Sequence, residues 1–286
     1  MDHLIRATAQ GIRAFAAVTT DLVEEARVRH NCYPVTAAAL GRVMTGSLLL
    51  AANLKTEESL TVRFSGDGPA GDIVADAYAD GTVRGYVKNP LVDLPLLNNK
   101  LDVGGAVGKG QVYVTRFTGL KQPFTGSTEL VSGEIAEDLT SYLVKSEQTP
   151  SSVALGVLVQ PDMKVSAAGG FLVQALPNVP EELLDILEKN LAELPPVSQM
   201  IQDGYDAKKI IQAVFAGLHI NLYDEVPLEF KCQCSRERVQ NMLISLGKEE
   251  LTSLAEEGQA EIVCHFCMEK YHFQKAELKE LLTSEE

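Results

Sequence analysis

Hydrophobic and polar residues alternate with two periods along the first 177 residues. Residues 21–30 and 36–54 place apolar side chains three and four positions apart, which predicts two helices, with Asp21 or Thr36 as an N-cap. Six later runs, rich in β-branched and aromatic residues, predict strands. These runs are residues 60–64, 73–78, 83–87, 111–115, 153–159 and 171–176. Because turn sequences such as Gly-Asp-Gly-Pro separate the runs, we predict an α+β domain with antiparallel sheets and helices on a face.

The next segment, residues 178–226, has a helical pattern. Leucines recur on one face of a run between Pro180 and Pro195, and a second amphipathic helix is predicted over residues 206–218. Helices this short are marginal alone and must bury their apolar faces. We therefore expect them to dock on the sheet of the first domain and partly on the C-terminal module.

Four of the five cysteines lie in the last segment, residues 227–286. They are Cys232, Cys234, Cys264 and Cys267. Residues two apart on a strand point to one side, so the first pair is expected to face one ion from a short strand, and a helix is predicted over residues 237–246. The second pair has the spacing of a metal-binding turn. Four thiolates form the closed shell of a structural zinc site, with an iron–sulfur cluster or chance pairing as the alternatives.

A bound ion would dominate the stability of this C-terminal module. A module of about 60 residues builds a core worth roughly 3–5 kcal/mol, whereas a structural zinc contributes roughly 10–16 kcal/mol. Disulfides between cysteines that are near neighbours in sequence close small loops, and each adds only about 2 kcal/mol to the stability of the fold. Oxidation is therefore expected to unfold the module, so that the site could serve as a sensor as well as a structural element.

Three other candidate residues have ordinary expected roles. His265 and His272 are expected at the surface or in packing, because four thiols already complete the metal shell. Cys32 stands alone beside an apolar helix, where a cysteine is more often an inert packing residue than a reactive thiol.

Composition excludes several classes of protein. The chain is 45% hydrophobic and 22% charged, which is typical of a globular protein, and its net charge of −14 disfavours nucleic acid and acidic membranes as partners. The N-terminus begins with an acidic residue, Asp2, and has no signal-peptide pattern, so a cytoplasmic location is expected. Arg42 interrupts the most apolar stretch, residues 37–54, which predicts a buried helix and not a membrane span.

No catalytic motif is apparent. Residues 66–71 match the glycine spacing of a dinucleotide site, but the next predicted element is a strand, which favours a hairpin. Residues 104–110 lack the spacing of a phosphate loop, and no nucleophile elbow occurs. We therefore predict no catalytic residue and a protein that is not an enzyme.

Ten short motifs occur in an order that carries a family resemblance. They are Ala38-Ala-Leu-Gly-Arg42, Gly66-Asp-Gly-Pro69, Gly85-Tyr-Val87, Leu101-Asp-Val103, Ala106-Val-Gly108, Val131-Ser-Gly-Glu-Ile135, Ser146-Glu-Gln148, Ala168-Gly-Gly-Phe171, Cys232-x-Cys-Ser-Arg-Glu-Arg238 and Cys264-His-Phe-Cys267. From end to end the chain resembles the redox-regulated heat-shock proteins of 33 kDa, bacterial holdase chaperones also called 33 kDa chaperonins.

The resemblance implies three parts and a switch. The parts are an α+β substrate-binding domain over residues 1–177, a metastable helical linker over residues 178–226 and a zinc-binding redox domain over residues 227–286. The reduced form, with one zinc ion, would be inactive. Oxidants, often with heat, would form the disulfides Cys232–Cys234 and Cys264–Cys267, release zinc and unfold the redox domain and the linker. The exposed surface would hold unfolded client proteins without ATP, and the active form would be a homodimer.

Two other classes stay open at this point. A thiol-disulfide oxidoreductase could use Cys264 and Cys267, whose spacing is that of thioredoxin-like centres, although no βαβ pattern surrounds the pair. The second class is a zinc-ribbon adaptor that binds nucleic acid or a protein complex. The acidic composition disfavours nucleic acid as its partner.

Overall fold

The computed structural model of the chain describes residues 1–120 and 122–283. The chain divides into two compact units, Met1–Lys231 and Cys232–Glu286. In chain order, the strands of the first unit are β1 (His3–Ala9), β2 (Ile12–Val18), β3 (Ser59–Gly66), β4 (Ile73–Tyr78), β5 (Thr82–Val87), β6 (Gly110–Phe117), β7 (Phe124–Glu129), β8 (Ser151–Val159), β9 (Val165–Ala175), β10 (Asn221–Leu222), β11 (Val226–Pro227) and β12 (Glu229–Phe230). Its helices are α1 (Thr20–His30), α2 (Pro34–Ala51), α3 (Val103–Val107), α4 (Ala136–Lys145), α5 (Glu181–Glu193), α6 (Val197–Gln202) and α7 (Ala207–Val214).

Two six-stranded sheets build the first unit. The first has the order β10-β1-β2-β9-β8, with β11 also paired to β1, and the second has the order β12-β5-β4-β3-β6-β7. Every pairing is antiparallel except that of β12 with β5. The predicted α+β class with antiparallel sheets is therefore confirmed, and each helix or strand predicted in residues 1–177 overlaps an observed one.

The most apolar helix, α2, contacts strands of both sheets. Two glycines allow this close packing, because a Cβ at Gly41 would lie 2.5 Å from Val23 and one at Gly46 would lie 2.5 Å from Leu139. By length and composition alone α2 could cross a membrane, but 89% of it is buried inside the protein. The prediction of a buried core helix is confirmed.

Helices α5, α6 and α7 pack on the first sheet, as expected for residues 178–226. Leu187 of α5 and Ile211 of α7 belong to one cluster with alternating side chains of β1, β2 and β9. Asp206 caps α7 by accepting a hydrogen bond from the backbone N–H of Lys209. The short helix α6 follows Pro195 and Pro196 and was not expected. Docking of these helices on the C-terminal module remains a prediction, as does the three-part division of the chain.

The start of the chain differs from the expectation. Strands β1 and β2 form an unpredicted hairpin whose turn residues, Gln10 and Gly11, both have positive φ, as in the hairpin turn of type I′. The predicted side-chain caps are wrong: α1 begins at Thr20 and α2 begins at Pro34, and neither N-cap residue makes a side-chain cap. Instead the carboxylate of Asp2, distant in sequence, accepts hydrogen bonds from two backbone N–H groups of α1.

The glycine-rich segment between β3 and β4 is a hairpin loop, as predicted, and no helix follows it. Its backbone packs so closely on α3 that a Cβ at Gly68 would lie 2.4 Å from the carbonyl oxygen of Ala106. The glycines therefore serve close backbone packing.

The second unit is a small hairpin-and-helix module. Its elements are α8 (Arg236–Ser245), α9 (Lys248–Glu257), β13 (Gln259–Val263), β14 (Lys270–Gln274) and α10 (Lys275–Thr283). Helix α8 confirms the helix predicted over residues 237–246, whereas the hairpin, α9 and α10 were not predicted. Within residues 232–283, the core of this unit is a cluster of eight buried residues. They are Val239, Leu243, Leu251, Ala255, Ala260, Phe273, Leu278 and Leu281.

Candidate metal centre

Two loops of the second unit supply the four sulfurs. Cys232 and Cys234 lie in the irregular segment before α8, so the expectation that a strand presents them is wrong. Ser235 ends this segment and caps α8 by accepting a hydrogen bond from the backbone N–H of Arg238. The cap fixes where the helix begins and holds the Cys234 backbone beside it.

Cys264 and Cys267 lie in the turn between β13 and β14, as their spacing predicts. The backbone N–H of Cys264 donates to the carbonyl of Glu269, and the N–H of Met268 donates to the carbonyl of Cys264. Met268 adopts a φ of 60°, which closes the turn. These contacts direct both sulfurs to one side of the hairpin end.

The four sulfurs meet in a cluster of metal-site dimensions. The distance from Cys232 Sγ to Cys264 Sγ is 3.7 Å and that from Cys234 Sγ to Cys267 Sγ is 3.4 Å, and all four lie within 4.8 Å of one another. Four sulfurs at the zinc–sulfur distance in a tetrahedron are about 3.8 Å apart. The donor set therefore fits one tetrahedral ion, and these cysteines could hold it.

Electrostatics favour a cation at this point. Burial raises the pKa of the Cys234 and Cys267 thiols, because it disfavours their charged forms. A divalent cation reverses this preference, because metal-bound thiols are deprotonated. The sulfur cluster is therefore better suited to binding a metal than to holding bare thiolates.

Tyr271 also contacts the sulfurs and was not identified from the sequence. Its hydroxyl donates a hydrogen bond to Cys234 Sγ over 3.1 Å, and this contact raises the pKa of Tyr271. The only sequence signal was an aromatic residue four positions after Cys267 in a strand-like run.

The remaining candidate residues lie outside the sulfur cluster. His272 is an exposed residue of β14 with Nδ1 3.5 Å from Glu261, which agrees with a surface role. Cys32 belongs to the first unit, where it is 1% exposed, and burial raises its pKa to about 12. Such a thiol is poorly reactive, as expected for a packing residue.

The turn geometry does not favour a thioredoxin-like centre. In those enzymes the nucleophilic cysteine has a lowered pKa, which a helix N-terminus promotes. Here the Cys264-x-x-Cys267 turn precedes the strand β14 and not a helix.

Comparisons with known proteins agree with one another. A family model described as Hsp33 protein matches residues 2–274. The 33 kDa chaperonin of Desulforamulus reducens is 54% identical over 98% of this chain and 97% of its own length. The 33 kDa chaperonin of Symbiobacterium thermophilum is 52% identical, and the match covers 97% of this chain and 96% of its own length. The crystal structure of the 33 kDa chaperonin from Thermotoga maritima is similar with a TM-score of 0.92 and 38% identity, covering 99% of this chain and 98% of that one.

Proposed function

Because the chain belongs to the Hsp33 family, which supports a chaperone role, we propose that it is a redox-regulated holdase that binds unfolding proteins without ATP. The observation that carries the proposal is the convergence of four cysteine sulfurs within 4.8 Å. Such a cluster can exist either as a metal site or as disulfides, and the two forms differ in how much they stabilise the second unit.

In the reduced state, Cys232, Cys234, Cys264 and Cys267 would hold one zinc ion. When bound, the ion supplies structural stabilisation by joining the segment before α8 to the β13–β14 turn. Among the residues of this unit that the structure describes, eight form the buried apolar cluster, and a core of that size supplies about 3–5 kcal/mol. Folding of the unit is therefore proposed to depend on the ion.

Oxidation would exchange the metal site for two disulfides, Cys232–Cys234 and Cys264–Cys267. In each pair, two thiolates form one S–S bond, and hydrogen peroxide accepts the two electrons and, with two protons, becomes two water molecules. Zinc leaves because disulfide sulfurs are no longer thiolate ligands. Peptide mapping tests the pairing, and bridges between Cys232 and Cys264 or between Cys234 and Cys267 would contradict it.

Loss of the ion is proposed to unfold the second unit and to release the linker, residues 178–226. The linker helices cover an apolar face of the first sheet, so their release would expose both apolar surfaces to unfolded clients. The net charge of −14 would help to keep a client complex soluble. We further propose a cytoplasmic protein that forms a homodimer when active and binds neither nucleic acid nor membranes.

The test measures bound zinc, the number of thiols and suppression of client aggregation on the same samples, before and after hydrogen peroxide or hypochlorous acid at raised temperature. The expected result is one zinc per chain in the reduced form, and its loss together with four thiols as holding activity appears. Full activity in the zinc-bound form, or an oxidised form without activity, would overturn the proposal. Insulin-reduction turnover with a reductase would instead support an oxidoreductase.

A further inference from the structure

Tyr271 connects the core of the second unit to one sulfur of the cluster. On β14 it pairs with Ile262 of β13, and its ring packs against the unit's buried cluster. Its hydroxyl lies 3.1 Å from Cys234 Sγ. A thiolate can only accept a hydrogen bond, so in the metal-bound form the phenol must be the donor.

The position of the ring is fixed by the strand. Residues two apart on a strand share a face, and Phe273 on that face of β14 is fully buried. Lys270 and His272 point to the other face and are exposed, with Lys270 paired to Glu261. The phenol therefore cannot turn away from Cys234 without losing its packing against the core.

We propose that Tyr271 is a positioning residue of the metal centre, which orients the Cys234 thiolate toward the ion and slows the reaction of that sulfur with oxidants. The inference rests on the proposed function, because it takes the four cysteines as zinc ligands in the reduced state. Hydrogen bonds from surrounding groups orient metal ligands and tune the metal, and those made to charged acceptors are the stronger ones.

The effect on oxidation follows from the chemistry of the first step. The sulfur attacks a peroxide oxygen, an S–O bond forms as the O–O bond breaks, and the departing hydroxide takes a proton to become water. A neighbouring thiolate then attacks the sulfenic acid sulfur, which forms the S–S bond and releases a second hydroxide. A hydroxyl that donates to the attacking sulfur lowers its electron density, so removing the hydroxyl speeds the first step.

The decisive variant is Tyr271→Phe in the full-length chain, which removes the hydroxyl and keeps the ring. Tyr205→Phe is the matched control, because Tyr205 is a partly exposed tyrosine of the first unit. We expect Tyr271→Phe to lower zinc affinity by about tenfold in competition with a chromophoric chelator. Hydrogen peroxide should release zinc several times faster from this variant. In the cobalt-substituted variant, the sulfur-to-metal charge-transfer band should move to lower energy, because the sulfur lone pair rises in energy when it no longer accepts the hydrogen bond.

Three outcomes separate the possibilities. Unchanged zinc affinity, release rate and cobalt spectrum would overturn the role of Tyr271 and leave the proposed function intact. A faster release accompanied by rapid hydrogen exchange at the amides of residues 259–263 would also overturn it, because the ring would then serve the fold alone. Wild-type protein that binds no zinc would contradict the proposed function itself.

Discussion

Replacement of Ile211 by alanine should produce holding activity in the reduced, zinc-loaded protein. Ile211 is fully buried on α7, in the cluster that joins the linker helices to β1, β2 and β9. Truncating such a side chain removes contacts that exist only when the linker is docked. The substitution therefore favours the undocked state without touching a cysteine.

The magnitude can be estimated from burial. An isoleucine-to-alanine change at a fully buried site costs about 2–5 kcal/mol of stability. If docking of the linker loses about 3 kcal/mol, the undocked fraction rises roughly 150-fold. Ile211→Asp should have a larger effect, because it leaves a charge buried without a partner. Leu187→Asp should have a smaller effect than Ile211→Asp, since Leu187 lines an open groove of about 660 Å³ where water can reach the carboxylate.

Light scattering from a thermally unfolding client, in reductant with zinc present, measures the activity. Limited proteolysis of residues 178–226 measures undocking on the same samples. Lys208→Ala is the control, because Lys208 is exposed on the same helix. An Ile211→Ala protein whose linker is readily cleaved but which does not suppress aggregation would refute the link between undocking and client binding. If circular dichroism shows that the Ile211→Ala protein is globally unfolded, Ile211→Val replaces it. We expect that substitution to lower the stability of the docked linker by about 1 kcal/mol.

Three further predictions concern single side chains. Cys267→Ser should abolish tight zinc binding and unfold the second unit, seen as loss of amide protection in residues 259–283, while Cys32→Ser should leave zinc binding unchanged. Burial raises the pKa of Asp2 to about 6, above its unfolded value, so this group's contribution to stability decreases as the pH rises through that window. The free energy of unfolding of the wild type, relative to that of Asp2→Asn, should therefore rise by about 1 kcal/mol as the pH falls from 7 to 5 in urea unfolding. Equal pH profiles of the two proteins would contradict the reasoning. Asp138 is fully buried and accepts hydrogen bonds from four backbone N–H groups of residues 131–135. Asp138→Ala should lower the free energy of unfolding by about 3 kcal/mol, measured by thermal unfolding. A loss below about 1 kcal/mol would show that these hydrogen bonds to residues 131–135 contribute little to stability.

Much of the fold and of the sulfur cluster was predictable because the signals are local. Periodicity located α1, α2 and the main strands, since burial of one face imposes a period on the sequence. Cysteine spacing predicted the sulfur cluster, because a metal site needs several donors within reach of one ion. The same spacing did not predict the conformation of residues 232–234, since irregular backbone can present two sulfurs as well as a strand can.

What only the tertiary structure decided depends on contacts between distant residues. The N-terminus of α1 is capped by Asp2 and not by a neighbour, because the β1–β2 hairpin returns the start of the chain to that helix. Tyr271 reaches Cys234 across 37 positions, because the β13–β14 pairing places it beside the sulfurs. A sequence specifies which side chains can cap, coordinate or donate, but the pairing of strands determines which of them meet.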